Sequence, residues 1–339
     1  MSNWLATSRS PGTLRVIDSD SHKRGSLMQK ENKVTRRTAL STGAAVVGAA
    51  VALSASEHDD SHPWIDAHSH IWTPDTSVFG LRPGMTADDL APRSFTAEEL
   101  MKTARPHGVG RVVLIQHTLF HGFDNSYLID AWKNNPTLFR VVGMVDDLRP
   151  HCGRAMKQLL RQGVTGFRIT PRKGISDWLQ TEGMQDMWRT AADTRQPMCC
   201  LINPHDLEGV DQACQRNPET PVVIDHFARI GIDGTIREQD LTRLVRLARH
   251  QNVKVKISAY YALGKKQPPH LELVPMIRRL FEAFGPDRLM WASDCPYQLD
   301  GENNYGGSIK LVRETIDFVT EEERRKLLCD TAESTFFYA

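Results

Sequence analysis

From residue 64 onward the chain alternates between short, nearly continuous apolar runs rich in β-branched residues and longer segments with apolar positions on one helical stripe. The runs at 64–71, 111–117, 140–145, 165–170, 198–203, 222–226, 253–259 and 289–294 read as strands. Val112-Val113-Leu114-Ile115 is apolar at every position, which suits a strand covered on both faces, as in a parallel sheet. Segments 96–107, 183–194, 238–250 and 271–284 read as helices. Thr96 opens the first of them with Glu98 and Glu99 close behind, a capping-box arrangement, and Leu241, Leu244, Val245 and Ala248 make one stripe of the third. Eight strand–helix units in about 280 residues have the size and rhythm of a (β/α)8 TIM barrel, an α/β fold in a single domain. A doubly wound open sheet would be expected to carry Gly-x-Gly-x-x-Gly after a strand, and no strand here is followed by one.

The first 56 residues break this rhythm. Arg36-Arg37 is followed by a mild apolar run from Thr38 to Leu53 that includes Gly43 and Gly48, and then by small residues at Ser54-Ala55-Ser56. This pattern resembles a twin-arginine export signal, and it is too weakly apolar for a stable membrane span. Residues 1–27 are polar and aperiodic, so Met28 is the expected start. The expected division is 1–56 as extension and signal, removed on export, and 57–339 as the barrel domain. The precursor's partner is then the twin-arginine machinery and the mature protein is periplasmic or otherwise extracytoplasmic.

Removing that signal changes the charge balance. The whole chain holds 42 Lys+Arg and 41 Asp+Glu; residues 1–56 hold 8 and 3, leaving 34 and 38, a net of −4. A mildly acidic protein has no electrostatic footprint for nucleic acid or an anionic membrane, so a small molecule is the expected partner. The six cysteines show no metal-binding spacing, and Cys199-Cys200 reads as packing.

In such barrels the chemistry sits at the C-terminal ends of the strands. Here those ends carry His68 and His70, Gln116 and His117, Arg168, Asp225-His226, Lys256 with Ser258 and Tyr260, and Asp294. Side chains two apart on a strand share a face, so His68 and His70 are expected to converge. Three imidazoles and a carboxylate (His68, His70, His226, Asp294) suit one divalent ion, zinc first, that would acidify a bound water. Without an ion, Asp294 serves as general base while protonated histidines polarise a carbonyl. Arg168 has the fork geometry for a substrate carboxylate. Gln116, Tyr260 and Ser258 are the further candidates for orienting substrate.

Asp66-Ala67-His68-Ser69-His70, Val223-Ile224-Asp225-His226 and the run from Leu289 to Tyr297 containing Ser293-Asp294-Cys295-Pro296 resemble three motifs of the amidohydrolase superfamily. The amidohydrolase-related branch, with its aromatic-acid decarboxylases and lactone hydrolases, is the nearest match. Val113-Leu114-Ile115-Gln116, Gly166-Phe167-Arg168 and Val255-Lys256-Ile257-Ser258 are similar to the pyrone-dicarboxylate and sugar-acid lactonases of that branch. The resemblance covers residues 64 to about 335. It implies that His68, His70 and His226 face the reacting carbonyl and that Asp294 activates the attacking water. Metal-dependent members take a further ligand from strand 4 or 5. Here those strands end in Arg168-Ile169-Thr170 and Leu201-Ile202-Asn203-Pro204, with His205 already in the loop. That departure favours a lactonase over a decarboxylase and leaves both metal-dependent and metal-free catalysis open.

Three functions are therefore compared: a hydrolase opening a lactone or related cyclic ester of a carboxylated or polyhydroxylated substrate, a metal-dependent decarboxylase of an aromatic or enoic acid, and a non-catalytic binding protein. Activity without metal separates the first from the second, and the intact His68, His70, His226 and Asp294 set speaks against the third. The loop at 73–91 is expected to form a cover over the site.

Overall fold

Eight parallel strands pair in strict chain order in the computed structural model, which describes residues 63–338. They are β1 (Trp64–Ser69), β2 (Val109–Ile115), β3 (Phe139–Gly143), β4 (Val164–Ile169), β5 (Met198–Cys200), β6 (Val222–Ile224), β7 (Val253–Ile257) and β8 (Leu289–Trp291). The connections carry helices α1 (Ala97–Ala104), α2 (Ser126–Asn134), α3 (Cys152–Leu160), α4 (Glu182–Thr194), α5 (Leu207–Arg216), α6 (Glu238–Arg246) and α7 (Val274–Phe284). The expected TIM barrel is therefore the fold. The arginine pair and apolar run at 36–56 lie outside the described residues. Among the described residues no helix is long and apolar enough to cross a membrane, and all six cysteines are free and buried.

Local signals set the helix starts where the pattern placed them. Thr96 accepts from the Glu99 amide, and Glu99 returns the bond to the Thr96 N–H at 2.6 Å, satisfying donors that a helix N-terminus otherwise leaves open. The strands near the site are shorter than the apolar runs suggest. β5, β6 and β8 each hold three residues, because the chain turns out of the sheet before the polar residues at its end.

The core runs through Ile65, Ala67, Val113, Ile115, Val142, Cys199, Val223, Met290 and Ala292 of the barrel wall and continues into Cys329, Ala332 and Phe336. The C-terminal helix Thr331–Phe336 thus packs onto the barrel; the Phe336 ring, fully buried, lies 5.2 Å from the Lys256 ammonium. Burying such a side chain contributes about 2–3 kcal/mol.

The barrel closes between β1 and the segment after β8, and the closure is part of the site. Asp294 N–H donates to His68 O at 2.8 Å and His70 N–H donates to Cys295 O at 2.7 Å. Asp66 ties the same seam with its side chain. Its Oδ1 accepts from the His68 and Ser293 amides at 3.0 and 2.9 Å, and its Oδ2 accepts from the Ser69, Ser293 and Tyr305 hydroxyls. Burial pushes the Asp66 carboxyl above its ordinary range, and these bonds pull it partly back. Each donor would cost about 1–3 kcal/mol if left unmatched, so one aspartate fixes the two chain segments that carry His68, His70 and Asp294.

The loop at 73–95 docks on the segment after β2. Arg82 N–H donates to Phe120 O at 2.8 Å, Arg82 Nε to Leu119 O at 2.6 Å, and His121 Nδ1 to Gly80 O at 3.0 Å. Trp72 Nε1 holds the base of the loop through Pro92 O at 2.7 Å.

Candidate active site

His68, His70, His226 and Asp294 meet at one end of the barrel, all buried. A register shift falls between Asp66 and Ser69, around His68, and His70 directly follows the end of β1. His226 and Asp294 take left-handed φ values of 53° and 63° two and three residues beyond the ends of β6 and β8. Asp294 Oδ1 is 3.4 Å from His68 Nε2 and 3.3 Å from His70 Nε2, and Oδ2 is 3.7 Å from His226 Nε2. Tyr261 Oη donates to the same Oδ2 at 2.8 Å and orients the carboxylate.

Burial lowers all three imidazole pKa values: His70 to about 3, His226 to about 4, and His68 well below its ordinary value, with Lys256 the next cause for His68. The histidines are therefore neutral at neutral pH, which corrects the expectation that protonated imidazoles polarise the substrate. Burial raises the Asp294 pKa, partly offset by His226, Tyr261 and Arg168.

Neutral rings make the proton positions readable. His70 Nδ1 faces the Ile115 carbonyl at 2.9 Å; a carbonyl only accepts, so Nδ1 carries the proton and Nε2 presents a lone pair to Asp294. Two acceptors 3.3 Å apart thus point at one place. A water molecule donating to both would relieve their repulsion. His68 is oriented from both sides. Arg168 Nη2 lies 2.6 Å from His68 Nε2 and, because guanidinium only donates, occupies that lone pair. The proton is then on Nδ1, 3.6 Å from Asp225 Oδ1. Lys256 Nζ pairs with the same oxygen at 3.1 Å, and Arg168 Nη2 lies 3.4 Å from Asp225 Oδ2.

Two sets of donors have the composition of a divalent-cation site. His68, His70 and Asp294 form one and His68, Asp225 and His226 the other, with ligand atoms in each within 4.8 Å of one another. Neutral imidazoles and a carboxylate match such an ion in kind. The arrangement does not match: in the first set Arg168 already holds the His68 Nε2 lone pair, and in the second Asp225 is already paired with Lys256.

Several of the other expected residues take different roles. Gln116 is committed to the loop after β2, its Nε2 donating to Asp124 O and its Oε1 accepting from His117 N–H. Ser258 holds His226 Nδ1 at 2.8 Å and so positions a histidine. Tyr260 points its hydroxyl to Ile257 O at 3.0 Å and is buried beside Phe227; its neighbour Tyr261 reaches Asp294. The reason is Ala259, whose φ of 59° breaks the alternation after β7. Arg168 spends one nitrogen, Nη2, on His68 and Asp225, so its two-pronged fork is not open to a substrate carboxylate. His205 is exposed and pairs only with Asp206 at 3.6 Å, away from the site. Tyr261 and Tyr297, whose hydroxyl is 2.7 Å from His117 Nε2, are additions that spacing did not single out. Arg229 stands half-buried on the loop after β6, with Asp294 and Tyr261 among the charges that act on it.

The amidohydrolase family model matches residues 65–337. The chain is 29% identical over 234 residues to a 4-sulfomuconolactone hydrolase of Rhizobium radiobacter, covering 68% of this chain and 75% of that protein. It is 28% identical, also over 234 residues, to an L-fucono-1,5-lactonase of Burkholderia ambifaria, covering 68% and 80%. A solved structure of a probable 2-pyrone-4,6-dicarboxylic acid hydrolase from Acinetobacter baumannii, with citric acid bound, superposes with a TM-score of 0.67 at 21% identity, over 81% of this chain and 100% of that one. A manganese-bound 5-carboxyvanillate decarboxylase from Novosphingobium aromaticivorans is more distant, with a TM-score of 0.56 at 16% identity over 82% and 98% of the two chains. With its match spanning the barrel from β1 to the C-terminal helix, the chain belongs to the amidohydrolase family.

Proposed function

We propose that this protein is a hydrolase that opens a lactone or related cyclic ester of a small carboxylated or polyhydroxylated substrate. The observation that carries this is the facing pair of acceptors, Asp294 Oδ1 and His70 Nε2, 3.3 Å apart, which together define a place for an attacking water. Asp294 takes the proton as the water oxygen bonds to the carbonyl carbon. The tetrahedral oxyanion is met by the Arg168 guanidinium and by His226 Nε2–H, with the Ser258 hydroxyl donating to Nδ1. Preorganised donors in a dry site stabilise such a charge strongly. Collapse breaks the ring C–O bond, and the proton on Asp294 passes to the leaving oxygen. Both curated relatives described above act on lactones by name, which supports this reading over decarboxylation. Zinc is the ion that the nitrogen-rich donor set suits in kind, although Arg168 holds the His68 lone pair it would need.

The test is a pH-indicator screen of sugar-acid lactones and pyrone carboxylates, with and without chelator. Hydrolysis of at least one cyclic ester is expected. Release of carbon dioxide from an aromatic acid, abolished by chelator and unaccompanied by ester turnover, would replace the lactonase with the decarboxylase.

The site of action is proposed to be outside the cytoplasm after twin-arginine export. Arg36-Arg37 and the mild apolar run behind them support this. Replacing both arginines by lysine should leave the protein in the cytoplasmic fraction; unchanged distribution between fractions would remove the proposal.

A further inference from the structure

His68 has a single lone pair in its neutral form, and its two possible hydrogen-bond donors compete for it. Arg168 Nη2 approaches Nε2 to 2.6 Å, whereas Lys256 Nζ stands 3.2 Å from Nδ1. The shorter contact decides the tautomer, and Asp225 Oδ1 then stands 3.6 Å from His68 Nδ1 and 3.1 Å from the Lys256 ammonium. Nε2 is also the nitrogen that turns toward Asp294 at 3.4 Å and completes the donor set with His70. A zinc ion would need that same lone pair at about 2.0–2.1 Å. A guanidinium nitrogen 2.6 Å away on the same lone pair and the metal–nitrogen bond exclude each other.

Charge points the same way. Arg168 and Lys256 place two buried basic side chains beside two buried carboxylates, Asp225 and Asp294. A divalent ion would add two more positive charges to a balanced cluster. Losing Arg168 would leave Lys256 and Asp225 still paired at 3.1 Å.

We propose that Arg168 is the resident cation of this site, holding the His68 lone pair that a divalent ion requires, so that the metal site is latent and opens only when the guanidinium is displaced. The guanidinium thereby takes the electrophilic position that an ion would fill. This inference concerns the donor set alone and does not depend on which substrate is turned over.

The experiment is a zinc titration of the chelator-stripped full-length chain by calorimetry, with metal-to-protein ratio read independently after desalting. Arg168→Met keeps the length and apolar stem of the side chain and removes the charge. It should bind one zinc roughly tenfold to a hundredfold more tightly than the parent, the range expected for releasing a charged hydrogen bond. Adding His70→Ala to that variant should abolish the gain, which places the ion at this donor set. Arg168→Gln, smaller and still hydrogen-bonding, serves if Arg168→Met does not fold as judged by circular dichroism, and the same tightening is expected of it. A parent chain that retains one zinc with the affinity of the variants would overturn the proposal. So would a tightened zinc that survives His70→Ala.

Discussion

Replacing Asp294 by Asn should lower kcat/KM for ester hydrolysis by roughly a thousandfold while leaving the barrel folded, because the variant loses the carboxylate that faces His70 Nε2 and is placed to take the water's proton. Asn is the informative choice for a backbone reason. Position 294 has φ of 63°, a region that Asn enters more readily than most residues. Its amide oxygen can still accept from Tyr261, and its backbone N–H still bonds to His68 O. Alanine would confound loss of the base with strain and a lost partner for Tyr261. The pH profile supplies an independent check. Burial raises the Asp294 pKa above the ordinary aspartate value of about 3.9, and the base must be deprotonated to act. Activity therefore falls as the pH drops through that raised pKa, so the acidic limb lies above the ordinary carboxylate range. His70 and His226, at about 3 and about 4, are too acidic to produce a limb near neutrality. A variant retaining more than about a tenth of the parent rate would show that another group takes the proton.

The sequence carries the barrel and the four convergent residues because both follow from repeating rules. Buried parallel strands leave apolar runs such as Val112 to Ile115, and barrel chemistry gathers where those runs end. What spacing cannot carry is contact between strands. Nothing local to Asp225 or Lys256 announces that they lie 3.1 Å apart, or that Asp225 also receives Arg168. Alternation fails for a related reason: it holds only while the backbone stays extended. Ala259 turns left-handed two residues past the end of β7, which sends Tyr260 into the core and Tyr261 to Asp294. Gln116 shows the converse, a polar side chain at a strand end whose bonds are spent on its own loop. The Asp225 cluster is thus the part of the site that only the folded chain discloses, and its energetic weight can be tested directly.

Asp225→Asn should destabilise the fold by about 3–5 kcal/mol, the range for removing one member of a buried charge pair, and lower Tm by roughly 10 °C. Asp225 and Lys256 are both fully buried, and the aspartate serves two cations at once. Burial alone would raise its pKa, but Lys256, His68 and Arg168 outweigh that and hold it well below the ordinary value. A depressed folded-state pKa contributes stability above the unfolded value, near pH 4, and loses it as the pH falls through the folded one. The parent should therefore shed this contribution in strong acid, and the variant should show a correspondingly flatter stability profile there. The decisive comparison is the double variant Asp225→Asn with Lys256→Met. Removing the stranded ammonium should recover a large share of the loss, because the penalty arises from an uncompensated buried charge more than from a missing bond. Urea unfolding of the parent, the single variant and the double variant measures both terms. A single variant within about 1 kcal/mol of the parent would mean that the cluster is held by packing and not by its charge pairs.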